Sequence, residues 1–306
     1  MPLTSGGRNE SLSEQNKSLV RRARRQSAWG RLRNNVISRV RGETPVSQML
    51  GVTGPDSYDP RDRLKPIPVG QADTEFDLSR YVKRITNQGE MPSCTGFGGR
   101  GMMELLITRM YKGDKSKTPN LSAAWPWWYA REMRGSRGQK TGAQVRDLCK
   151  VLHSQGCVGE YHMPDRTHYT SPPTPAALTA PTYKLEKYER IPSTFGYELD
   201  VAGEAVRKVI SREKLPVLCG YYAFNSHNTR QVRATGILPV PGPVEPNEGG
   251  HLVYITGYTL IDGEYHYKFA NSWGTHWGEN GYGFLPEGFF RERLVFDLWV
   301  PCPSHW

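Results

Sequence analysis

The sequence predicts an α+β fold in two parts, helical first and β-rich second. Two patterns carry this expectation. Apolar side chains recur at helical spacing between residues 94 and 154, whereas from about 215 to 286 short runs rich in Val, Ile, Tyr and Phe alternate with turn residues. A Thr/Pro-rich stretch, 165–182, lies between them and reads as a crossing between two lobes. With 306 residues and 37% hydrophobic content, the chain can bury a sizeable core.

The elements follow in order. Residues 1–16 are polar and form a lead-in. Residues 17–41 hold nine Lys/Arg and no acid, with Trp29, Leu32, Val36 and Val40 at helical spacing and Gly42 placed as a cap. This is a basic amphipathic helix. Of the chain's net charge of +10, residues 1–41 account for +8, so the rest is nearly neutral. Arg21, Arg22, Arg24, Arg25, Arg31 and Arg33 are candidate contacts to nucleic acid or an acidic assembly partner, because Lys/Arg–phosphate contacts need no defined fold. A solvated charged face and an inhibitory pro-segment are the other readings. Residues 43–72 contain five prolines and read as an extended linker. The expected organisation is therefore an arm and linker over 1–73 and a globular domain over 74–306. Within the domain, a helical lobe spans about 74–180 and a β-rich lobe about 181–300.

Within the domain, a helix is expected from Cys94 to Met110, carrying Met102, Met103, Leu105 and Leu106. Ser122 is placed to cap a second helix whose Trp125, Trp127, Trp128 and Tyr129 belong in the core. A third covers about 143–154 and ends at Gly156. "DVAGEAVRKVISRE" reads as one more helix and feeds the strand "LPVLCGYYAF". "HLVYITGYTLI" and "EYHYKFANSW" read as strands of a hairpin turning at Asp262-Gly263, and "GYGFLP" as a further strand.

Several classes of protein are disfavoured. No window approaches the roughly 18 apolar residues of a membrane span, and no apolar run follows the basic N-terminus as a secretory signal would. Five cysteines at scattered positions argue against a disulfide framework and for a reducing setting such as the cytoplasm, or the interior of a virion. Cys149, His153 and Cys157 could align on a helix as metal ligands. However, Gly156 ends the helix first and no fourth ligand is evident, so buried thiols are expected and no metal or other cofactor.

"NQGEMPSCTGFGG" places Cys94 at the start of a helix, where the dipole and free N–H groups favour a thiolate. Alone, such a cysteine is more often a small core residue. A thiol nucleophile needs a base, a group that orients the base, and donors for an oxyanion. His251 follows "EGG" and opens an apolar strand, and Asn271 follows the next strand in "FANSWG". The hairpin would bring them together, with the Asn271 amide oxygen accepting from the Nδ1–H of His251. Gln88 and the Cys94 backbone N–H are the candidate oxyanion donors.

"NQGEMPSCTGF", "GGHLVYITGY" and "NSWGTHWGENGYGF" together resemble the papain-like (C1) cysteine peptidases over roughly residues 74–300. The style of the motifs is similar to the bacterial and phage-encoded branch. The resemblance implies a two-lobe papain-like fold with the active-site cleft between the lobes. It implies peptide or protein substrates and an acyl-enzyme route. By it, Cys94 is nucleophile, His251 base, Asn271 its orienter and Gln88 the oxyanion residue. Trp273 would shield the Asn–His hydrogen bond, and Gly142 would present backbone to an extended substrate. The sequence departs from the family at three points. Met91 stands where secreted members have a cysteine, and Thr95 where most have Trp. The Cys–His separation of 157 residues exceeds the usual ~130–150. The family's pro-region pattern is not evident in residues 1–73, which contain no Phe. Two other readings stay open. One is a papain-fold structural or virion component anchored by its arm, with silent chemistry. The other is an amidase acting on cell-wall peptides.

Overall fold

The computed structural model describes residues 50–165, 168–192 and 200–303. The basic helix expected over 17–41, with its six candidate arginines, lies outside these residues.

Three helices build the first lobe: α1 (Cys94–Met110), α2 (Ala124–Glu132) and α3 (Val145–Ser154). A two-stranded ribbon of β2 (Cys157–Val158) and β3 (Thr182–Tyr183) closes it, with the single turn α4 (Pro175–Leu178) between them. Every residue of α1 from Cys94 to Thr108 is buried, so this helix is the axis on which both lobes pack. Its glycines make that possible. A Cβ on Gly98 would lie 3.3 Å from the Leu252 side chain, and one on Gly101 would lie 2.7 Å from Tyr254, so the α1 backbone itself meets the sheet. The buried charges of α1 are paired, as burial requires. Glu104 meets Arg84 at 3.0 Å and Arg100 at 3.5 Å, and Arg100 meets Asp165 at 3.6 Å. Ser122 Oγ accepts from the Trp125 N–H (3.1 Å) at the start of α2, as expected of a cap. Trp125, Trp127 and Trp128 are buried, and Arg131 lies 3.7 Å over the Trp127 ring.

Among the described residues, seven strands form one antiparallel sheet. Its order is β4 (Leu185–Arg190), β9 (Val295–Pro303), β5 (Val217–Phe224), β6 (Asn247–Ile261), β7 (Glu264–Ala270), β8 (Tyr282–Pro286), with β1 (Phe76–Asp77) also on β6. Three further helices flank it: α5 (Asp200–Lys208), α6 (Arg230–Thr235) and α7 (Gly288–Arg291). The β6–β7 hairpin turns at Asp262 (φ 52°) and Gly263 (φ 85°), the two positive φ values that the Asp-Gly signal anticipates. β6 differs from expectation at its start. It begins at Asn247, so His251 lies inside the strand rather than at its opening. All five cysteines are free. Cys149 lies on α3 and Cys157 on β2, with Gly156 (φ 77°) turning the chain between them. Among the described residues, no helix is long and apolar enough to cross a membrane.

The stretch read as a linker is, from residue 50 onward, a strap on the domain. Asp56 is buried where its N–H donates to Asp297 Oδ2 (2.9 Å) and its Oδ2 accepts from the Arg146 N–H (2.9 Å) and Trp299 Nε1 (3.2 Å). Asp62 takes both the Nε (2.9 Å) and Nη2 (2.7 Å) of Arg146 and the Nη1 of Arg190 (3.2 Å). Leu64 bridges Arg190 of β4, and Ile67 and Ala72 pack on the core. Its prolines and glycines suit this extended path. Its apolar contacts, Leu50, Val52, Ile67 and Ala72, are irregularly spaced and the rest are ionic or backbone, so hydrophobic periodicity does not announce them.

Candidate active site

Cys94 opens α1 at the junction of the lobes and is fully buried. The nearby backbone N–H groups of Leu252, Gly51, Thr95 and Cys94 itself favour the ionised sulfur. His251 stands on β6 opposite Tyr221 of β5, whose ring meets it edge-on at 5.7 Å. β7 ends at Ala270, paired with Tyr254. Asn271 therefore emerges beside the part of β6 that β7 no longer covers. Its Oδ1 lies 2.9 Å from His251 Nε2 and also accepts from the Ser272 N–H at 2.8 Å.

That second bond decides the tautomer. An atom receiving a backbone N–H is the amide oxygen, so the ring proton sits on Nε2. The expected Nδ1–Asn pairing is thereby corrected: Nε2 faces Asn271. Nδ1 is buried with no hydrogen-bond partner, and it carries the lone pair. Trp273 stacks on the imidazole at 4.6 Å and 29°, with Trp277 edge-on behind it at 5.1 Å. The Nε2–Asn271 hydrogen bond lies in a buried aromatic setting, where it is stronger than in water.

Gln88 is held by a different set of bonds. Its Nε2 donates to Met91 O (2.7 Å) and its Oε1 accepts from Ser272 Oγ (2.5 Å). The Gln88 backbone N–H donates to Ser272 O (2.9 Å), which ties the loop before α1 to the loop after β7.

At Gly142, the position expected to meet an extended substrate, a segment of the chain itself lies close. A Cβ on Gly142 would lie 2.0 Å from Gly51 O. The Ala143 N–H donates to Gly51 O (2.9 Å), and the Val52 N–H donates to Gly250 O (3.1 Å). Val52 thus bridges both walls of the cleft, parallel to Ala143 and antiparallel to Gly250. A Cβ on Gly51 would fall 2.2 Å from Pro92 O and 3.1 Å from Cys94 Sγ, so only glycine lets the strand lie this close. The sequence reading missed Gly51 and Val52. The available signal was the apolar "MLGV" inside a proline-rich run.

Closure sets the electrostatics. Burial pushes the Cys94 thiol up to about 12, against the lowering pull of the backbone donors. Burial pushes His251 down to about 4, against the hydrogen bond it donates to Asn271. In this closed arrangement the pair is uncharged at neutral pH. The thiolate expected from the helix dipole is outweighed, because desolvation of a fully buried sulfur exceeds the effect of one helix turn.

Comparison with known proteins shows the family and the fold. The family described as "Papain family cysteine protease" matches residues 72–289. An uncharacterized peptidase C1-like protein of Acanthamoeba polyphaga mimivirus is 29% identical over 238 residues, 74% of this chain and 73% of that protein. Cathepsin S of Bos taurus is 26% identical over 250 residues, 81% of this chain and 70% of its own. Xylellain, a cysteine protease from Xylella fastidiosa, superposes with a TM-score of 0.71 at 22% identity, over 87% of this chain and 100% of its own. Digestive procathepsin L 3 of Tenebrio molitor larval midgut gives 0.61 at 15%, over 98% and 94%. The structural likenesses establish the fold.

Proposed function

The chain belongs to the papain family of cysteine proteases, and from that premise we propose that Cys94, His251 and Asn271 are its catalytic triad. The carrying observation is the pairing of His251 Nε2 with Asn271, which leaves Nδ1 buried without a hydrogen-bond partner on the strand whose next residue, Leu252, packs against Gly98 of the helix that Cys94 opens. Once the cleft is open to substrate, Nδ1 takes the thiol proton and the Cys94 sulfur attacks the scissile carbonyl. The oxyanion is met by the Cys94 N–H and by the Gln88 side-chain amide. The imidazolium, oriented by Asn271, protonates the departing amine. Water, deprotonated by the same nitrogen, then hydrolyses the thioester.

The supporting roles predict graded losses. Gln88→Ala raises the barrier by ~2.7–4 kcal/mol, the usual worth of one oxyanion donor. Asn271→Ala lowers kcat less than His251→Ala, because it loosens the base without removing it. Single-turnover acylation on a fluorogenic peptide checks both. An unchanged acylation rate in Gln88→Ala would remove that residue from the mechanism.

The composition of residues 17–41 supports anchoring to nucleic acid or an acidic partner, in a virion or elsewhere. Binding to duplex DNA should weaken steeply between ~50 and ~200 mM salt and vanish on deletion of residues 1–42. Salt-insensitive binding would exclude the phosphate-contact reading. In the alternative of a papain-fold component with silent chemistry, Cys94 would resist activity-based labelling even with the cleft open.

A further inference from the structure

We propose that Arg100 positions the Asn271 amide through a single water, held in a small cavity that both side chains line. The proposal rests on the reading of Asn271 as the orienter of His251.

The cavity lies where α1 meets β6 and the end of β7. Arg84, Thr86, Arg100, Tyr254, Asn271 and Ser272 are on its lining, and its volume is ≈ 10 Å³, about the room that one water needs. Two of these side chains carry buried donors with no hydrogen-bond partner among the described residues: Asn271 Nδ2, and Arg100 Nε and Nη1. The rest of each group is committed. Asn271 Oδ1 takes the His251 Nε2–H and the Ser272 N–H. Arg100 Nη2 donates to Thr86 Oγ1. Glu104 gives Arg100 only a loose ion pair, Nη1 to Oε1 at 3.5 Å, because that oxygen already accepts from the Leu121 N–H at 2.9 Å and from Arg84 at 3.0 Å.

Amide and guanidinium N–H groups only donate, so the two side chains cannot satisfy each other. An acceptor has to lie between them. A water oxygen takes one bond from each, and the hydroxyls of Tyr254 and Thr86 on the same lining can receive its hydrogens. An anion is a poorer fit. Arg84 and Arg100 face three carboxyl groups, Glu104, Glu160 and Asp165, which leaves no net positive charge to hold one. The arrangement fixes the Asn271 amide at both ends: Ser272 sets its oxygen, and the water on Arg100 sets its nitrogen. A half-turn of the amide would place Nδ2 against the Nε2–H of His251, two donors face to face, and the imidazole would lose the bond that orients it. Arg100 is therefore a positioning residue, carried on the same helix that Cys94 opens.

A crystal structure of the full-length chain that shows ordered water tests the site. One water oxygen is expected within hydrogen-bonding distance of Asn271 Nδ2 and of Arg100 Nε or Nη1. No water there, or one that reaches only one of the two side chains, overturns the proposal. Steady-state kinetics on a fluorogenic peptide tests the role. Arg100→Met should lower kcat roughly three- to tenfold, the worth of one hydrogen bond, with KM unchanged. In the Asn271→Ala background the same change should lower kcat no further. An unchanged kcat in the first case, or an equal loss in both backgrounds, overturns the positioning role. If Arg100→Met does not fold, Arg100→Lys goes through the same cycle. It keeps a cation beside Glu104 and Asp165 but lacks the Nε–H, and a smaller loss, again confined to the background with Asn271, is expected. A bridging water together with an Asn271→Ala enzyme as active as the parent upholds the site and instead sinks the reading of Asn271.

Discussion

Cys94→Ala abolishes peptide hydrolysis, with a loss on the order of 10⁶ in kcat if the triad acts as a unit. The fold should persist, because truncating one small buried thiol removes little packing. Melting then moves slightly while turnover disappears. The contrast separates a nucleophile from a core thiol: Cys219, equally buried on β5, lies in the sheet between Val253 and Leu298, and its truncation should leave kcat in place. A panel of fluorogenic peptides measures both variants. Turnover by Cys94→Ala comparable to the parent's would refute the assignment.

At pH 9, where Asp297 is ionised, Arg190→Met should give the largest loss of stability, ~3–5 kcal/mol, the cost of leaving a buried carboxylate without its partner. Arg190 Nη2 meets Asp297 Oδ1 at 2.8 Å, Asp297 is fully buried, and Asp62 loses one of its cations in the same change. For a domain of this size the loss corresponds to roughly 6–20 °C in Tm. The sign of its pH dependence follows from Asp297. Burial, with the neighbouring Asp56 charge, pushes that carboxyl up to about 8 against the pull of Arg190 and Arg146. Its folded form therefore holds a proton that the unfolded chain releases, and this contribution to stability is lost as pH rises towards 8. Without Arg190 the carboxyl must stay protonated still longer, so the penalty of Arg190→Met grows from pH 6 to pH 9. Scanning calorimetry at the two values measures it. Equal or smaller penalties at pH 9 would contradict the pairing.

The sequence made some parts of this molecule legible and hid others, for identifiable reasons. α1 and the β6–β7 hairpin were readable because their signals are local: an apolar helical pattern after glycines, and Asp-Gly between alternating strands. The proximity of His251 and Asn271 followed from the hairpin alone. Which ring nitrogen faces Asn271 did not, since that depends on side-chain direction within β6 and on the Ser272 N–H. β9 was not anticipated because Val295–Pro301 is buried throughout and shows no alternation to mark a strand. The strap was misread as a linker because Asp56 and Asp62 look like solvent-facing charges until Arg146, Arg190 and Asp297, far along the chain, are brought to them. The perturbed ionisation of Cys94 was hidden for the same reason, since it depends on how deeply the folded chain buries the thiol.

The most direct test of the central claim is peptide mapping after prolonged incubation of the full-length chain with an epoxide thiol inhibitor, repeated in His251→Ala. The proposed triad predicts a single adduct, on Cys94, whose formation slows by orders of magnitude when His251 is removed. Adducts spread over Cys149, Cys157, Cys219 or Cys302, or a Cys94 adduct indifferent to His251, would contradict it.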